Sequence, residues 1–381
     1  MAWRKMRVPF IDITRHEEGF VPQWIEKVAQ MTTEAQFIGG PEVKSLEDRL
    51  SGYCETKFVI SCANGTDAIQ LALRALAVGS DDVVLVPNAT FWATFEAVVN
   101  VGAIPVTVDI DLSDGGIDLT AFEEAIKAEN PKAAVIAHLY GWGTKNLQSL
   151  RALCLENDVY LVEDGAQAFG VEYEGAPIYA GGLISTVSFY PAKVLGAAGD
   201  AGAVMTNDAA LAARVRRLAN HGRTEHYGYA NVGWNSRMDA LQAAYLNLSL
   251  DHMGARIASR RATAEEYRQL LPAIGMTPMS APKSYNENGY CNVCLIEDPV
   301  LKLHIEAVLQ IKKVGFGNIY PGTMSTQKGA KLYLKAHYGG ENSNQLAKSV
   351  LNLPLFAYIT PEELGWVFES LSGAFNKFGS A

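Results

Sequence analysis

The sequence predicts an α/β fold in which a mostly parallel sheet is flanked by helices. Short β-branched runs alternate with helical stretches through the first two hundred residues, which is typical of strands joined by helical crossovers. Several runs, such as 159–162, are apolar at consecutive positions, as expected for strands covered on both faces. Near residue 210 this rhythm gives way to longer helices. We therefore expect a large domain over residues 1–252 and a smaller C-terminal α+β domain over residues 253–381.

The predicted elements follow from β-branched runs, apolar periodicity and turn residues. Seven strands are expected in the large domain, at 58–61, 83–87, 104–109, 133–138, 159–163, 186–189 and 203–206. Helices are expected there at 66–77, 93–101, 119–128, 147–156, 209–219 and 237–250. The smaller domain is expected to hold helices at 255–271, 301–312 and 361–378 and a strand near residue 290. Thr360 and Pro361 mark the start of the last helix, because threonine caps helices and proline fits a first turn.

Composition and charge exclude several classes of protein. The 381 residues carry 41 acidic and 32 basic side chains, and the net charge of −9 argues against nucleic acid as a partner. No apolar run approaches the roughly 20 residues that span a bilayer, and the first residues lack the apolar core of a signal peptide. The five cysteines form no disulfide framework. These features predict a cytoplasmic protein without a membrane partner.

Cys291 and Cys294 form a C-x-x-C pair, which in other contexts is a redox or zinc motif. The surrounding segment resembles a strand, where residues three apart point to opposite faces. A second cysteine pair that would complete a tetrahedral site is absent from the sequence. We therefore interpret both cysteines as structural and expect no metal site.

Lys193 and Asp164 are the most informative pair in the sequence. Lys193 follows the apolar run 184–187 and is surrounded by apolar residues, and Asp164 ends another buried-looking strand upstream. A lysine that forms a Schiff base and an acid that keeps a pyridine nitrogen protonated are the minimum apparatus for pyridoxal phosphate (PLP) chemistry. The structural alternatives are a surface lysine and a helix-capping aspartate.

A phosphate site is predicted where the first strand meets the strongly apolar helix that follows it. Gly65 allows close backbone approach at this turn, and a helix N-terminus offers free N–H groups and a positive dipole end. The Thr66 hydroxyl and Ser188, five residues before Lys193, can add bonds to the same phosphate. The alternatives are plain capping by Asn64 or Thr66 and a polar strand position for Ser188.

Three further residues are candidates for contacts around a planar ring. Gln167 can donate to a phenolic oxygen of the ring, or it is an ordinary surface amide. Phe91 can stack on the ring, or it is a core aromatic residue. Asn235 and Ser236 precede a predicted helix and occupy positions typical of an N-cap.

Five segments, taken in order, resemble the DegT/DnrJ/EryC1/StrS family of PLP-dependent nucleotide-sugar aminotransferases. The resemblance covers nearly the whole chain. Its strongest segments are 37–43, 63–68, 163–170, 188–193 and 234–239. It implies a fold-type-I aminotransferase with a seven-stranded large domain, and a homodimer whose active sites are shared at the interface.

The resemblance also implies a role for each matching residue. Lys193 would form the Schiff base, Asp164 would face the pyridine nitrogen, and Gln167 would contact the ring hydroxyl. The other implied cofactor contacts are Gly65, Thr66 and Ser188 on the phosphate, Phe91 on the ring face, and Asn235 on the phosphate of the other subunit's cofactor.

The implied reaction moves an amino group from an amino acid, by family habit L-glutamate, to a nucleotide-linked keto-sugar in amino-sugar biosynthesis. Some family dehydratases carry histidine where this chain has Lys193, so the lysine favours amino transfer. The segment 190–196 is more similar to members that aminate C3 than to those that aminate C4. Arg223, Arg237 and Tyr320 are candidate substrate-binding residues.

Ile319 departs from the family pattern, because many members have histidine before Tyr-Pro and use it in the substrate pocket. This leaves the nucleotide and the sugar unspecified. Two alternatives to the main hypothesis also stay open. One is an aminotransferase acting on a keto-cyclitol or another keto-polyol, and the other is a regulatory protein that kept the fold without catalysis.

Overall fold

The computed structural model describes residues 6–225 and 227–378. The strands are β1 (Phe58–Cys62), β2 (Val83–Pro87), β3 (Ile104–Val108), β4 (Ala133–Ala137), β5 (Tyr160–Asp164), β6 (Glu172–Tyr173), β7 (Ala176–Pro177), β8 (Ile184–Ser188), β9 (Gly202–Thr206), β10 (Tyr285–Asn286), β11 (Cys294–Leu295), β12 (Ala336–Tyr338) and β13 (Val350–Leu351). The α-helices are α1 (Phe20–Glu34), α2 (Gly40–Cys54), α3 (Gly65–Ala75), α4 (Trp92–Asn100), α5 (Leu119–Glu129), α6 (Leu147–Glu156), α7 (Ala209–Ala219), α8 (Ala240–Leu250), α9 (Met253–Leu270), α10 (Pro299–Lys312), α11 (Glu341–Ser349) and α12 (Pro361–Phe378). Short 3₁₀ turns lie at Ile178–Gly181, Leu271–Ile274 and Met324–Thr326.

The central sheet has eight strands in the order β1-β9-β8-β5-β4-β2-β3-β12. All neighbours pair in parallel except β9, which is antiparallel to both β1 and β8. The mostly parallel α/β sheet is therefore confirmed, and each of the seven predicted strands is present. The expected strand number of seven is wrong, because β12 adds to the edge beside β3. This three-residue strand, Ala-His-Tyr, has no apolar pattern that could have revealed it.

Helices cover both faces of the sheet, as predicted, and successive residues of β4 show the two layers. Val135 packs in the cluster that contains Leu71 of α3 and Phe95 of α4. Ile136 packs in the cluster on the opposite face of the sheet, which contains Leu50 of α2. Both residues are buried, which explains why strands of this sheet are apolar at consecutive positions.

The C-terminal part has a core of its own and two small sheets. Tyr267 of α9, Leu309 of α10 and Val367 of α12 share this core, and Val8 near the N-terminus joins it through a bridge to Val314. The small sheets are β10-β6-β7 and β11-β13. The chain thus passes between the two parts more than once, and the predicted division at residue 252 stays a prediction.

Two local predictions have different outcomes. Thr360 caps α12: its hydroxyl accepts from Glu363 N at 3.2 Å, and the Glu363 carboxylate accepts from Thr360 N at 2.9 Å. The strand expected near residue 290 is reduced to β11, because only two of its residues pair with β13.

Cys291 and Cys294 are buried free thiols, and within 6–225 and 227–378 no group of three or more His, Cys, Asp or Glu side chains could hold a metal ion. No helix in these ranges is long and apolar enough to cross a membrane.

Candidate active site

A cavity of about 780 Å³ lies beyond the carboxyl ends of the parallel strands, where α/β proteins commonly bind ligands. Turns that follow β1, β2, β4, β5 and β8 form much of its wall, and the C-terminal part closes it with three residues. These three are Tyr290, Ile319 and Tyr320. Eight of the predicted site residues line the cavity: Gly65, Thr66, Phe91, Asp164, Gln167, Ser188, Lys193 and Tyr320.

Lys193 lies in the turn after β8, where its N–H donates to the Tyr190 carbonyl at 2.8 Å. Burial lowers the pKa of the Lys193 amine to about 8, although the negative charge of Asp164 acts in the opposite direction. An amine with this pKa is neutral in an appreciable fraction of molecules near neutral pH, and the neutral form attacks carbonyl groups. Its position in the cavity wall excludes the alternative of an ordinary surface lysine.

Asp164 ends β5 and is buried. Its carboxylate accepts from the Thr94 hydroxyl at 3.0 Å and from Ala166 N at 3.1 Å. Burial raises the pKa of Asp164, while these two hydrogen bonds and the charge of Lys193 oppose the increase. The bond to Ala166 N stabilises a turn and does not cap an α-helix, since the next regular element is β6. A buried acid of this kind is suited to pair with a protonated ring nitrogen.

The predicted phosphate site lies at the start of α3. Asn64 does cap this helix, because its side chain accepts from Asp67 N at 2.8 Å. The N–H groups of Gly65 and Thr66 belong to the first turn, where no intrahelical acceptor exists, so they can bind an anion. A Cβ atom on Gly65 would lie 2.6 Å from the Ser188 Cβ, so glycine allows the end of β8 to approach the helix start.

Gln167 and the two aromatic candidates meet on another wall of the cavity. The buried Gln167 amide accepts from Tyr140 N at 2.7 Å and donates to the Tyr320 hydroxyl at 2.9 Å, so it is not a surface amide. Phe91 is 56% exposed at the cavity, with its ring centroid 5.9 Å from that of Tyr320, so it is not a core residue. The second Gln167 amide hydrogen and the Phe91 ring face are thus available for a planar ligand.

Asn235, Arg223 and Arg237 lie outside the cavity of their own chain, in the segment between α7 and α8. Arg237 donates to the Asn235 side chain at 2.7 Å, and the Arg223 guanidinium lies 5.9 Å from the Tyr229 ring centroid. A single chain therefore does not bring these three predicted residues to Lys193.

The predicted capping role of Asn235 or Ser236 is wrong, because α8 begins at Ala240, well beyond both residues. The Ser236 hydroxyl instead donates to Asp67 at 2.6 Å and accepts from Ala63 N at 3.3 Å. These bonds tie the segment between α7 and α8 to the start of α3, beside the predicted phosphate site.

The sequence did not reveal a buried ion cluster behind Asp164. Glu163 binds His138 Nε2 at 2.9 Å and Arg151 through two bonds of 2.8 and 2.9 Å. Burial acts to raise the pKa of Glu163, but the hydrogen bonds and charges of His138 and Arg151 lower it overall. The adjacent acids Glu163 and Asp164 were the available signal, since neighbours on a strand point to opposite faces and each needs its own partner.

A lysine with a lowered pKa, a buried acid and a helix start able to bind phosphate define a PLP-type enzyme of the α/β class. A model of the DegT/DnrJ/EryC1/StrS aminotransferase family matches residues 21–372. The chain belongs to this family and is an aminotransferase, which confirms the prediction from the sequence.

Two similar proteins have names that specify a sugar nucleotide. A dTDP-3-amino-3,4,6-trideoxy-alpha-D-glucose transaminase of Streptomyces venezuelae is 38% identical, covering 92% of this chain and 91% of its own. A UDP-N-acetyl-3-dehydro-alpha-D-glucosamine 3-aminotransferase of Acidithiobacillus ferrooxidans is 32% identical, covering 94% and 95%. The crystal structure of NtdA from Bacillus subtilis, with bound cofactor PMP, superimposes with a TM-score of 0.89 at 26% identity, covering 98% of this chain and 86% of that one.

Proposed function

We propose that the protein is a PLP-dependent aminotransferase that moves an amino group from L-glutamate to C3 of a nucleotide-linked keto-sugar. The observation that carries the proposal is the presence of Lys193, Asp164 and the start of α3 in one cavity. The 3-amino-sugar names of the two relatives support C3 as the position and a sugar nucleotide as the acceptor.

The residues present fit the cofactor. When bound, PLP supplies an electron sink for the carbon that loses a proton. Lys193 would hold its carbonyl group, and Asp164 would keep its ring nitrogen charged. Gly65, Thr66 and Ser188 would bind its phosphate, Phe91 would cover one ring face, and Gln167 would donate to the ring hydroxyl.

Proton transfer is the chemical task of this chain's own residues. The Lys193 amine, with a pKa of about 8, can both take up and release a proton near neutral pH. Asp164 stays in place through its bonds to Thr94 and Ala166. The anchored phosphate and the covered ring face would limit motion of the reacting carbon relative to the lysine.

A shared site in a homodimer is part of the proposal. Among the described residues that line the cavity, Lys193 is the one Lys or Arg side chain, whereas Asp67, Glu96, Asp164 and Asp200 are acidic. Glutamate and a sugar diphosphate bring several negative charges, so further cations are needed. The segment between α7 and α8 of a second subunit would supply them.

Arg223 and Arg237 of this segment are the candidate cations, and Asn235 is a candidate neutral ligand. Arg223 and Arg237 each have a buried Nε atom that finds no hydrogen-bond partner among residues 6–225 and 227–378. Tyr227, Tyr229 and Val232 in the same segment are exposed apolar residues, which is typical of a surface that another chain covers. Arg223 and Arg237 would bind the carboxylate and diphosphate groups, and Asn235 would reach the partner's cofactor phosphate.

The test uses purified protein with PLP and L-glutamate. A nucleotide-linked 3-keto sugar, its 4-keto isomer and a keto-cyclitol are offered separately, and the amino products are measured by mass spectrometry. We expect the 3-keto sugar nucleotide to be aminated fastest. Faster amination of the cyclitol would overturn the sugar-nucleotide assignment. A protein that binds PLP but does not react with glutamate, or with any other amino acid in a panel, would instead be a regulatory relative.

A further inference from the structure

The amine of Lys193 has an aromatic neighbour that the proposed function does not use. Its Nζ atom lies over the ring of Tyr290, 5.4 Å from the ring centroid. This is within the roughly 6 Å over which a cation is attracted to an aromatic face. Tyr290 is also part of the cavity wall, although it comes from the C-terminal part of the chain.

Asn288 fixes the position of Tyr290. Its side chain accepts from Tyr290 N at 2.8 Å and donates to the carbonyls of Gln167 at 3.0 Å and Phe169 at 2.9 Å. One side chain therefore connects the backbone of Tyr290 to the turn that carries Gln167. The position of Tyr290 is thus fixed relative to the turn that carries Gln167.

Gly141 makes this arrangement possible. It has a φ of +100°, and its carbonyl accepts from Asn288 N at 3.1 Å. A Cβ atom there would lie 2.4 Å from Asn288 Oδ1 and 2.9 Å from Tyr290 N. The close approach of the two segments therefore requires glycine at this position.

The attraction between Lys193 and Tyr290 is that of a cation for a neutral ring. Burial raises the pKa of the Tyr290 phenol, so the phenol stays protonated over the physiological range. Arg260 and Cys291 lie near the phenol as charged or titratable groups. The other titratable groups that line the same cavity as Lys193 are Asp67, Glu96, His138, Asp164, Tyr190, Asp200 and Tyr320. A second, smaller cavity that Lys193 also borders is lined by Asp12, Arg15, His16, Tyr245, Arg256 and Arg260.

We propose that Tyr290 is a positioning residue for Lys193, whose free amine it holds by attraction between the ring face and the ammonium group. The attraction raises the fraction of ammonium and places the amine on one wall of the cavity until it meets a carbonyl group. The inference rests on the proposed function only in taking Lys193 as the reactive lysine.

The first experiment measures the protonation of Lys193 in cofactor-free protein. The rate of acetylation by acetic anhydride is followed against pH, and the Lys193 peptide is quantified by mass spectrometry. In Tyr290→Leu we expect the pH midpoint of Lys193 acetylation to fall by about 0.4 to 1.5 units, since the attraction of a cation–π contact shifts a pKa by about this amount. Below the midpoint, acetylation should become roughly threefold to thirtyfold faster. Tyr290→Phe keeps the ring face and should leave the midpoint unchanged.

A second series keeps the shape of the ring. Phenylalanines carrying one, two and three ring fluorines are placed at position 290, because fluorine withdraws electron density from the ring face. The midpoint for Lys193 should fall stepwise with fluorine number. A midpoint that does not change along this series, or an equal shift in Tyr290→Phe and Tyr290→Leu, would overturn the inference.

The two proposals fail separately. Acetylation needs no PLP, so the midpoints of Lys193 test the role of Tyr290 even in a protein that does not bind the cofactor. Failure of the wild type to attach PLP at Lys193 would contradict the proposed function. Normal attachment with unchanged midpoints in the Tyr290 series would contradict this inference alone.

Discussion

Replacing Asp164 by asparagine removes one buried negative charge while it keeps the shape of the side chain. The asparagine oxygen can accept from Ala166 N, and its amide can donate to the Thr94 hydroxyl, where the carboxylate now makes bonds of 3.1 and 3.0 Å. The fold should therefore persist. The change acts on the charge that would stabilise a protonated pyridine nitrogen.

The magnitude follows from the charge that is lost. Two unit charges about 4 Å apart attract by about 4 kcal/mol at an effective dielectric constant of about 20. If this attraction acts in the transition state, its loss slows the reaction roughly 1000-fold, since about 1.4 kcal/mol corresponds to a factor of ten. Thr94→Val is the matched control: it removes one hydrogen bond of about 1 kcal/mol and keeps the charge, so a loss of about tenfold or less is expected.

The assay is rapid mixing of PLP-loaded protein with L-glutamate, followed through the absorbance change of the cofactor. Thermal unfolding of the cofactor-free proteins is the second measurement. Burial raises the pKa of Asp164, so above the ordinary carboxyl pKa its ionised form destabilises the folded state. Asp164→Asn removes this charge and should therefore unfold at a higher temperature than the wild type at pH 7. A rate for Asp164→Asn within tenfold of the wild type, or an equal loss of rate in Thr94→Val, would show that the Asp164 charge does not stabilise the transition state.

Three other substitutions have distinct expected outcomes. Lys193→Met should raise the unfolding temperature of cofactor-free protein at pH 7, because it removes a buried ammonium group that destabilises the folded state. This gain in unfolding temperature should shrink as the pH rises from 8 to 10.5, since Lys193 loses its proton at a lower pH in the folded state than in the unfolded chain. Arg151→Met should lower the free energy of unfolding, measured with urea, by about 3–5 kcal/mol, since it leaves Glu163 with half its buried partners. Gly65→Ala should weaken PLP binding, measured by equilibrium titration, because the new Cβ would lie 2.6 Å from the Ser188 Cβ.

Matched controls separate these effects from general damage. Arg216→Met removes an arginine whose side chain is 58% exposed and leaves Glu47 its bonds from Ser61, so it should change stability by about 1 kcal/mol or less. Gly254→Ala places a Cβ in open space on α9 and should leave PLP binding unchanged. An Arg151→Met variant no less stable than Arg216→Met would contradict the role of the buried cluster. Tight PLP binding by Gly65→Ala would contradict the phosphate site at the start of α3.

Much of the fold and site could be predicted because the informative residues are local to strand ends. Asp164 ends a strand, Lys193 follows one, and Gly65 opens the helix after another, so a parallel sheet brings them together without any knowledge of long-range contacts. The strand β12 could not be predicted, because three residues at a sheet edge carry no periodicity.

Local sequence patterns also could not predict the contact of Tyr290 with Lys193 or the bond between Gln167 and Tyr320. Tyr290 reaches Lys193 only because the C-terminal part packs on the sheet, a contact across nearly one hundred residues. Sequence position likewise suggested a helix cap at Asn235 or Ser236, but α8 starts later and Ser236 instead makes long-range bonds to Ala63 and Asp67. Long-range packing, and not local propensity, decided each of these outcomes.

The most direct test asks which atom of the protein carries the cofactor. PLP-loaded protein is reduced with borohydride, digested, and mapped by peptide mass spectrometry. We predict a single pyridoxyl group on the Nζ atom of Lys193. A group on any other lysine, or no covalent group at all, would contradict the account.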